Sequence, residues 1–366
     1  VRTVGFGDAF VDVSGGNRKI PLSELMPDGA LPVVDQGKSV IAGYTDDYAA
    51  AVSTPGPLIV FGDHTRAVKY VDFPFAMGAD GTKLLQARED FDARFLFHFL
   101  RGLDIPSAGY SRHFKFLKDS QVPQPAVPEQ RRIAAILDAS DEVRAKRRAQ
   151  LAHLDELPQA LFHEMFDGVQ AEHQLEEVAQ VQGGLQVSAK RKALPECVAY
   201  LRVANVHRGR LRLDEVKTMR ATRVEIERTR LTSGDLLFVE GHANPHEVGR
   251  VAVWPGADGV FVHQNHLIRA RLDRGKCLPV FAAHWLNSSQ GAGHFQRYGK
   301  TTSGLNTIST GVVKSAPIPL PSLSLQQEFA AKVEAIHAER ARVAHALETD
   351  DELFAALQHR AFRGEL

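Results

Sequence analysis

Two stretches of the chain carry apolar residues at intervals of three and four. From 129 to 166 these are Ile133, Ile136, Leu137, Val143, Leu151, Leu154, Leu157, Leu161 and Met165. From 324 to 363 they are Phe329, Val333, Ile336, Val343, Leu347, Leu353, Leu357 and Phe362. Such spacing places apolar side chains on one face of a helix. The residues between them are mostly Ala, Arg, Lys, Asp, Glu and Gln, with no Gly. Pro-x-Pro stands before each stretch, and Gly168 or Gly364 closes it, as helix starts and stops require. Each helix of some 38 residues would run roughly 57 Å. Helices this long are seldom stable alone, so the two are expected to pack together, antiparallel or as a loose coiled coil. Pro158 should kink the first. Helix–helix and subunit contacts are expected at Ile133, Leu137, Leu151, Leu154 and Leu161, and at Phe329, Val333, Val343, Leu347 and Leu357.

The two stretches are copies. At a constant offset of 196, Val122–Gly168 aligns with Ile318–Gly364 without gaps, and fifteen of the thirty-nine positions from 130 to 168 are identical. Among them are Gln130 and Gln326, Arg144 and Arg340, and the run Asp155-Glu156-Leu157 with Asp351-Glu352-Leu353. GDAFVDVSGG (7–16) also resembles LEEVAQVQGG (175–184). The plan is variable module, repeat, variable module, repeat. Its divisions are 1–121, 122–168, 169–317 and 318–366.

The modules have a different rhythm. GPLIVFG (56–62), RAVKYVDFPF (66–75), GDLLFVEG (234–241), GRVAVW (249–254) and GVFVHQNHLIRARL (259–272) are short strand-like runs between Gly, Pro, Asp and Asn. A helix-like stretch closes each module, FDARFLFHFLRGL (91–103) and VFAAHWLNSSQGA (280–292). The expected fold class is α+β: two globular domains with small, twisted, mostly antiparallel sheets, separated by the two long helices in a duplicated arrangement.

Composition narrows the function. The chain has 366 residues, 44% hydrophobic and 24% charged, which is ordinary for a globular protein. No apolar run reaches the length of a membrane span, and the start lacks the layout of a signal peptide. Cys197 and Cys277 are too few for a disulfide framework or a four-thiolate zinc site; a reducing cytoplasm fits best. Lys+Arg and Asp+Glu both number 44, which excludes a globally basic nucleic-acid binder but not a locally basic one. GxxxxGK[ST], GxGxxG after a strand, HExxH and GxSxG are all missing, as is an Asn/Asp-Pro-Pro-Tyr/Phe tetrapeptide, so no catalytic residue is assigned. His242, His246, His263 and His266, with Glu240 and Glu247, raise the thought of a metal. Strand geometry sends His263 and His266 to opposite faces, and no metal site is expected.

Charge is local. Residues 181–230 hold twelve Lys/Arg against five acids. A charge run is commonly a solvated face. Here the cations interleave with Asn205, His207 and Gly209, which suits phosphate contact with groove reading. The candidate DNA contacts are Lys190, Arg191, Lys192, Arg208 and Arg210, and in the polar loop 299–309 Lys300, Thr301, Thr302, Ser303 and Asn306. In the first module they are His64, Thr65, Arg66 and Lys69, and Ser111, Arg112, His113 and Lys115. Arg suits guanine, Asn suits adenine and Ser/Thr either.

The whole chain resembles the specificity subunit of Type I restriction-modification enzymes. The resemblance is carried by PQPAVPEQRRIAAIL (123–137), its weaker copy IPLPSLSLQQEFAAKV (318–333) and the terminal AFRGEL (361–366). FGDHTRAVKYVDFPFAMGADG (61–81) and the loop YGKTTSGLNTIS (298–309) also look like that family. It implies a non-catalytic reader of double-stranded DNA. Each target recognition domain would bind half of a split sequence, and the helices would set the unread spacer. One DNA turn of about 34 Å fits such a helix pair. The implied partners are two methyltransferase subunits, which carry S-adenosylmethionine and flip the target adenine, and ATP- and Mg-dependent restriction subunits. No cofactor is expected on this chain. Leu325 departs from the pattern, standing where Glu129 stands in the first copy. The chain is short for the family and begins at Val1, as one lacking an N-terminal piece or having an unusual start codon would. Competing readings are a reader in a fused restriction–methylation enzyme or another phage-defence complex, a metal-dependent enzyme at 242–266, and a structural helical adaptor.

Overall fold

The computed structural model describes residues 2–79, 81–106, 112–302 and 304–366. The chain divides into two compact units, Val1–Gln150 with Val343–Leu366, and Leu151–Arg342. The long helices span Val127–Phe166 and Leu323–Ala361, and each unit takes one end of each. The helix assignment continues through Pro158, which is buried. Gly168 and Gly364 both take φ of 74°, the left-handed conformation that ends a helix without a Cβ penalty.

In the first unit, strands Phe10–Asp12, Thr82–Ala87, Leu58–Gly62 and Val68–Val71 form an antiparallel sheet in that order. Leu58–Gly62 is buried throughout, because both faces are covered. Ile59 and Phe61 enter one core with Phe95, Leu96, Phe99, Ile133, Leu137 and Phe354. Leu58 and Val60 enter another with Val34, Val71, Met77 and Leu84. A second sheet orders Lys19–Ile20, Ala76–Gly78, Leu31–Val34 and Gly43–Thr45, with two parallel pairs. The helix Ala93–Gly102 starts at Asp92, whose carboxylate accepts from the Phe95 amide at 3.0 Å.

The second unit repeats the central plan. Ala179–Gly183, Leu267–Leu272, Leu236–Val239 and Val251–Val253 form an antiparallel sheet in that order. Leu236 and Phe238 pack toward Phe162, Phe166, Phe281, Trp285 and Phe329, while Leu237 and Val239 pack with Leu201 and Trp254. Its second sheet differs: Lys217–Ala221, Glu196–Leu201 and Phe261–His263, one pair antiparallel and one parallel. The sequence resemblance of the modules stopped at their first residues, yet the two central sheets share one strand order.

Each unit is tied to its helices the same way. Buried Gln130 accepts from the Asp92 amide at 2.8 Å and donates to the carbonyls of Asp90 (3.0 Å) and Pro125 (2.9 Å). Buried Gln326 accepts from the Leu278 amide at 2.8 Å and donates to the carbonyls of Lys276 (3.1 Å) and Pro321 (2.8 Å). Within each unit the helix segments run antiparallel. In the first, Arg144 bonds Asp351 at 2.5 Å and Arg147 pairs with Asp350. In the second, Arg340 pairs with Asp155 and the Phe162 and Phe329 rings meet at 5.4 Å.

Of the expected helix contacts, Ile133, Leu137, Phe329, Val333 and Val343 are buried. Leu161 and Leu357 pack partly buried against the cores, and Leu151, Leu154 and Leu347 are half-buried. Three residues placed on the apolar face are instead exposed: Val143, Leu157 and Leu353. Phe354, one position on from Leu353, takes the buried place.

Candidate nucleic-acid interface

In the first unit the strands Leu58–Gly62 and Val68–Val71 are joined by a turn over 63–67. Arg66 takes φ of 61° there, in the left-handed region. The turn is held from several sides. The buried Asp63 carboxylate accepts from the Phe114 amide at 2.7 Å, and its carbonyl accepts from the His113 amide at 2.9 Å. Gln36 accepts from the His64 amide at 3.2 Å through its side chain and from the Thr65 hydroxyl through its carbonyl. Arg66 donates to the Ile105 carbonyl at 2.9 Å. Gly81 lies so close that a Cβ would stand 2.6 Å from the His64 ring. The segments 62–69 and 112–115 are therefore neighbours, with Thr65, Arg66, Arg112 and Lys115 exposed.

Two expected contacts in this unit are internal. Lys69 is 5% exposed, and its Nζ donates to the Asp35 carbonyl at 2.7 Å and pairs with the Asp35 carboxylate at 3.4 Å. Burial lowers its pKa, and Asp35 opposes that. Period two puts Lys69 on the face of Val71, which is buried. His113 is also buried, its Nδ1 bonded to the Asp63 carbonyl at 2.9 Å. Ser111 and Ser303 lie outside the described residues, as do the side chains of Thr301 and Thr302.

In the second unit the basic stretch sorts into tied and untied cations. Arg191 is a strut: it bonds both oxygens of Glu225 (2.7 and 3.2 Å) and the carbonyls of Gln186 (2.6 Å) and Arg220 (3.1 Å). The Arg191 bond and the Thr222 amide pull the Glu225 carboxyl down to about 2. Arg208 is held too, by the His246 carbonyl at 2.6 Å and Asn287 at 3.3 Å. Arg202 pairs with Glu215 and Arg212 with Asp214, each at 2.8 Å. Lys190, Lys192 and Arg223 are exposed, and their side chains have no partner among the described residues; Arg210 is exposed too, and after the Arg340 hydrogen bond its charge helps hold the Asp155 carboxyl below its usual range. The Arg191–Glu225 strut ties the turn Ala189–Ala193 to the helix Arg223–Thr229 and so brings Lys190, Lys192 and Arg223 together.

The polar loop forms a three-stranded ribbon, Gly241–His242, Leu305–Thr307 and Lys300–Thr302. Asn306 donates to the Ala243 carbonyl at 3.1 Å, and Lys300 is exposed. The ribbon borders a cavity also lined by Glu240, His266 and Tyr298. Tyr298 opens the loop 298–309 but was not named as a contact from sequence. Among the described residues no three His, Cys, Asp or Glu side chains could hold a metal ion. His263 is fully buried against the Thr229 carbonyl at 3.1 Å, and His266 pairs with Glu240 at 3.0 Å. Among the described residues no helix is long and apolar enough to cross a membrane.

No family model matches the chain. The specificity subunit of the EcoKI Type I restriction enzyme of Escherichia coli K12 is 30% identical over 175 residues, 45% of this chain and 37% of that protein. The StySPI specificity subunit of Salmonella potsdam is 26% identical over 183 residues, 49% of this chain and 40% of that protein. The match thus spans well under half the length of these relatives. The Type I restriction-modification S subunit of M. genitalium matches 99% of this chain at a TM-score of 0.59 and 13% identity, with 96% of its own length covered. A solved chain from a type I R-M system matches all of this chain at 0.61 and 17%, with 98% of its own length covered. The sequence relatives are Type I specificity subunits, and the fold is that of solved Type I S subunits.

Proposed function

We propose that the chain is the non-catalytic DNA-specificity subunit of a Type I restriction-modification complex, and that each unit reads one half of a bipartite duplex target in the major groove. One observation carries this reading. The two units share their central sheet, their glutamine clamp and their helix pairing, yet differ in their second sheets and in the polar segments around them. A duplicated frame with divergent loops suits one task performed on two different sequences. In the first unit the readers are Thr65, Arg66, Arg112 and Lys115. In the second they are Arg210 and Asn306, with Lys190, Lys192, Arg223 and Lys300 on phosphates.

S-adenosylmethionine, ATP and Mg belong to the partners in this reading, two adenine methyltransferase subunits and ATP-dependent restriction subunits, in the cytoplasm. A partner present twice fits another feature of the repeats. Leu157 and Leu353 are 39% and 52% exposed at equivalent positions, each beside an exposed Glu and an exposed Ala. Two equal apolar spots suit two copies of one partner.

The test is methylation mapping. The chain is co-expressed with a neighbouring methyltransferase subunit in a host without DNA methylation, and modified adenines are located by sequencing. A split motif with a fixed gap is expected, and exchanging the first module should alter one half only. An active, assembled complex that methylates without sequence preference would overturn the reading.

A further inference from the structure

We propose that the cavity beside the strand Gly241–His242 receives a nucleobase with an exocyclic amino group, turned out of the DNA stack. This rests on the DNA-specificity reading and goes a step beyond it. Groove reading uses elements that project, because the major groove admits a helix or a ribbon. A recess does the opposite: it is filled only by a group that projects from the DNA. This one holds about 520 Å³, within the range of sites that enclose small ligands.

Its walls have the chemistry a base requires. The floor is apolar, with Val203, Ile308 and Val312. Tyr298 stands at the rim, 54% exposed, its ring 4.9 Å from that of His294. An aromatic ring left in water yet braced from behind is a stacking surface. Lys300 lines the same cavity and is exposed, placed for the phosphate of the incoming nucleotide. Glu240 supplies discrimination. Its Oε2 accepts from Nδ1 of His266 at 3.0 Å, which fixes the carboxylate, and Oε1 has no partner among the described residues. A fixed carboxylate oxygen accepts from the amino group of cytosine or adenine and repels a thymine carbonyl. Ordinary duplex contact would use Lys300 but leave Tyr298 and Glu240 without a task.

The energetics define the experiment. Unstacking and unpairing a base costs a few kcal/mol, least where its partner is missing. Duplexes carrying the mapped target are made with an abasic site replacing one nucleotide at a time, and the affinity of the chain with its methyltransferase partner is measured on each. The positions opposite the methylated adenines should bind about tenfold tighter or more, and so should one further position in the half-site of the second unit. With Tyr298→Ala, whose exposure makes unfolding no concern, the gain at the further position should fall below about threefold while the others persist. Glu240→Gln, which offers an acceptor and a donor, should weaken the preference for an amino-bearing base there. If only the positions opposite the methylated adenines respond, or if Tyr298→Ala leaves the gain at the further position intact, the cavity does not take a base. Failure to prefer the mapped duplex over a scrambled one would instead overturn the specificity reading, and this inference with it.

Discussion

Replacing Gln130 with Leu should loosen the first module from its helices and leave the second untouched. The side chain is fully buried and makes three hydrogen bonds, all to backbone, at 2.8, 3.0 and 2.9 Å. Leu fills nearly the same volume, so little of the effect is a cavity. What is lost is one acceptor and two donors. Stranding a buried partner costs about 1–3 kcal/mol, and a bond whose partner water can reach costs little. Asp90 lies at the surface, so water can satisfy its carbonyl, and the sum comes to about 3 kcal/mol. Gln130→Glu should do worse, since it keeps the acceptor but turns a carboxylate toward two carbonyls. Two units make global unfolding a poor gauge, so hydrogen exchange is the assay. Amides over 90–102 should exchange faster by about two orders of magnitude while those over 276–287 hold. Gln326→Leu should give the mirror result. A loss under about 1 kcal/mol, or acceleration in the wrong unit, would refute the clamp.

The repeat-equivalent arginines should be unequal. Arg144 is 13% exposed, bonds Asp141 at 2.6 Å and Asp351 at 2.5 Å, and lies 4.2 Å over the Phe354 ring, so Arg144→Ala should cost roughly 2 kcal/mol. Arg340 is 39% exposed, and Arg340→Ala should cost under about 1 kcal/mol in chemical denaturation. Acid should destabilise the second unit before its carboxylates titrate. Burial, then Arg269, brings His263 down to about 4, and burial, then His337, does the same for His284. Their unfolded forms take a proton near 6.5 while the folded ones do not, so stability is full above pH 6.5 and falls toward pH 4, by roughly 2–3 kcal/mol per histidine at pH 4.5; a second-unit stability flat from pH 7 to 5 would contradict this. Reversing charge at Lys190, Lys192 or Arg210 should weaken all duplexes or relax one position and lower the salt slope by about one per phosphate contact, whereas Arg191→Ala should act first on thermal stability. Leu157→Asp and Leu353→Asp should each remove one partner copy, and the double variant both, in light scattering of the assembled complex.

The helices were legible because period 3.6 over nearly forty residues has few alternatives, and because an ungapped copy repeats it. Their finer facing was not. Leu353 and Phe354 are adjacent and both apolar, and only packing against Ala93–Gly102 decides that Phe354 turns inward. Gln130 and Gln326 stood out as identities, but a buried glutamine that bonds only backbone leaves no trace in the residues it holds. The errors among the cations share one cause. Charge density was taken for exposure, whereas Lys69 and Arg191 each serve a nearby carboxylate or carbonyl. For Lys69 the signal existed, since period two sets it on the same face as Val71. For Arg191 nothing in the sequence distinguishes it from Lys190 and Lys192; the fork of a guanidinium suits a four-bond strut as an ammonium does not.

The backbone-only character of the glutamine clamps explains how similar frames carry dissimilar modules. Gln130 grips 90–92 and Gln326 grips 276–278 through carbonyl and amide groups that every residue but proline supplies. The gripped segments share no residue identity, Asp90 and Asp92 against Lys276 and Leu278. A clamp made by side-chain pairs would have bound each module's sequence to the frame, and any change in the module would have needed a matching change in the helix. With the backbone as the contact, the constraint on the module reduces to one turn geometry before its closing helix. The remaining module surface, including the turn 63–67, the untied cations around Lys190 and the ribbon strands 300–302 and 305–307, is then free to vary at little cost to stability. Freedom of that kind is useful only to a protein whose surface loops must differ between copies while their mounting stays the same. It also restricts where tolerance should be found: substitutions at Lys276 or Asp90 that keep the backbone path should be nearly silent, and proline at 92 or 278, which removes the amide each glutamine accepts from, should not be.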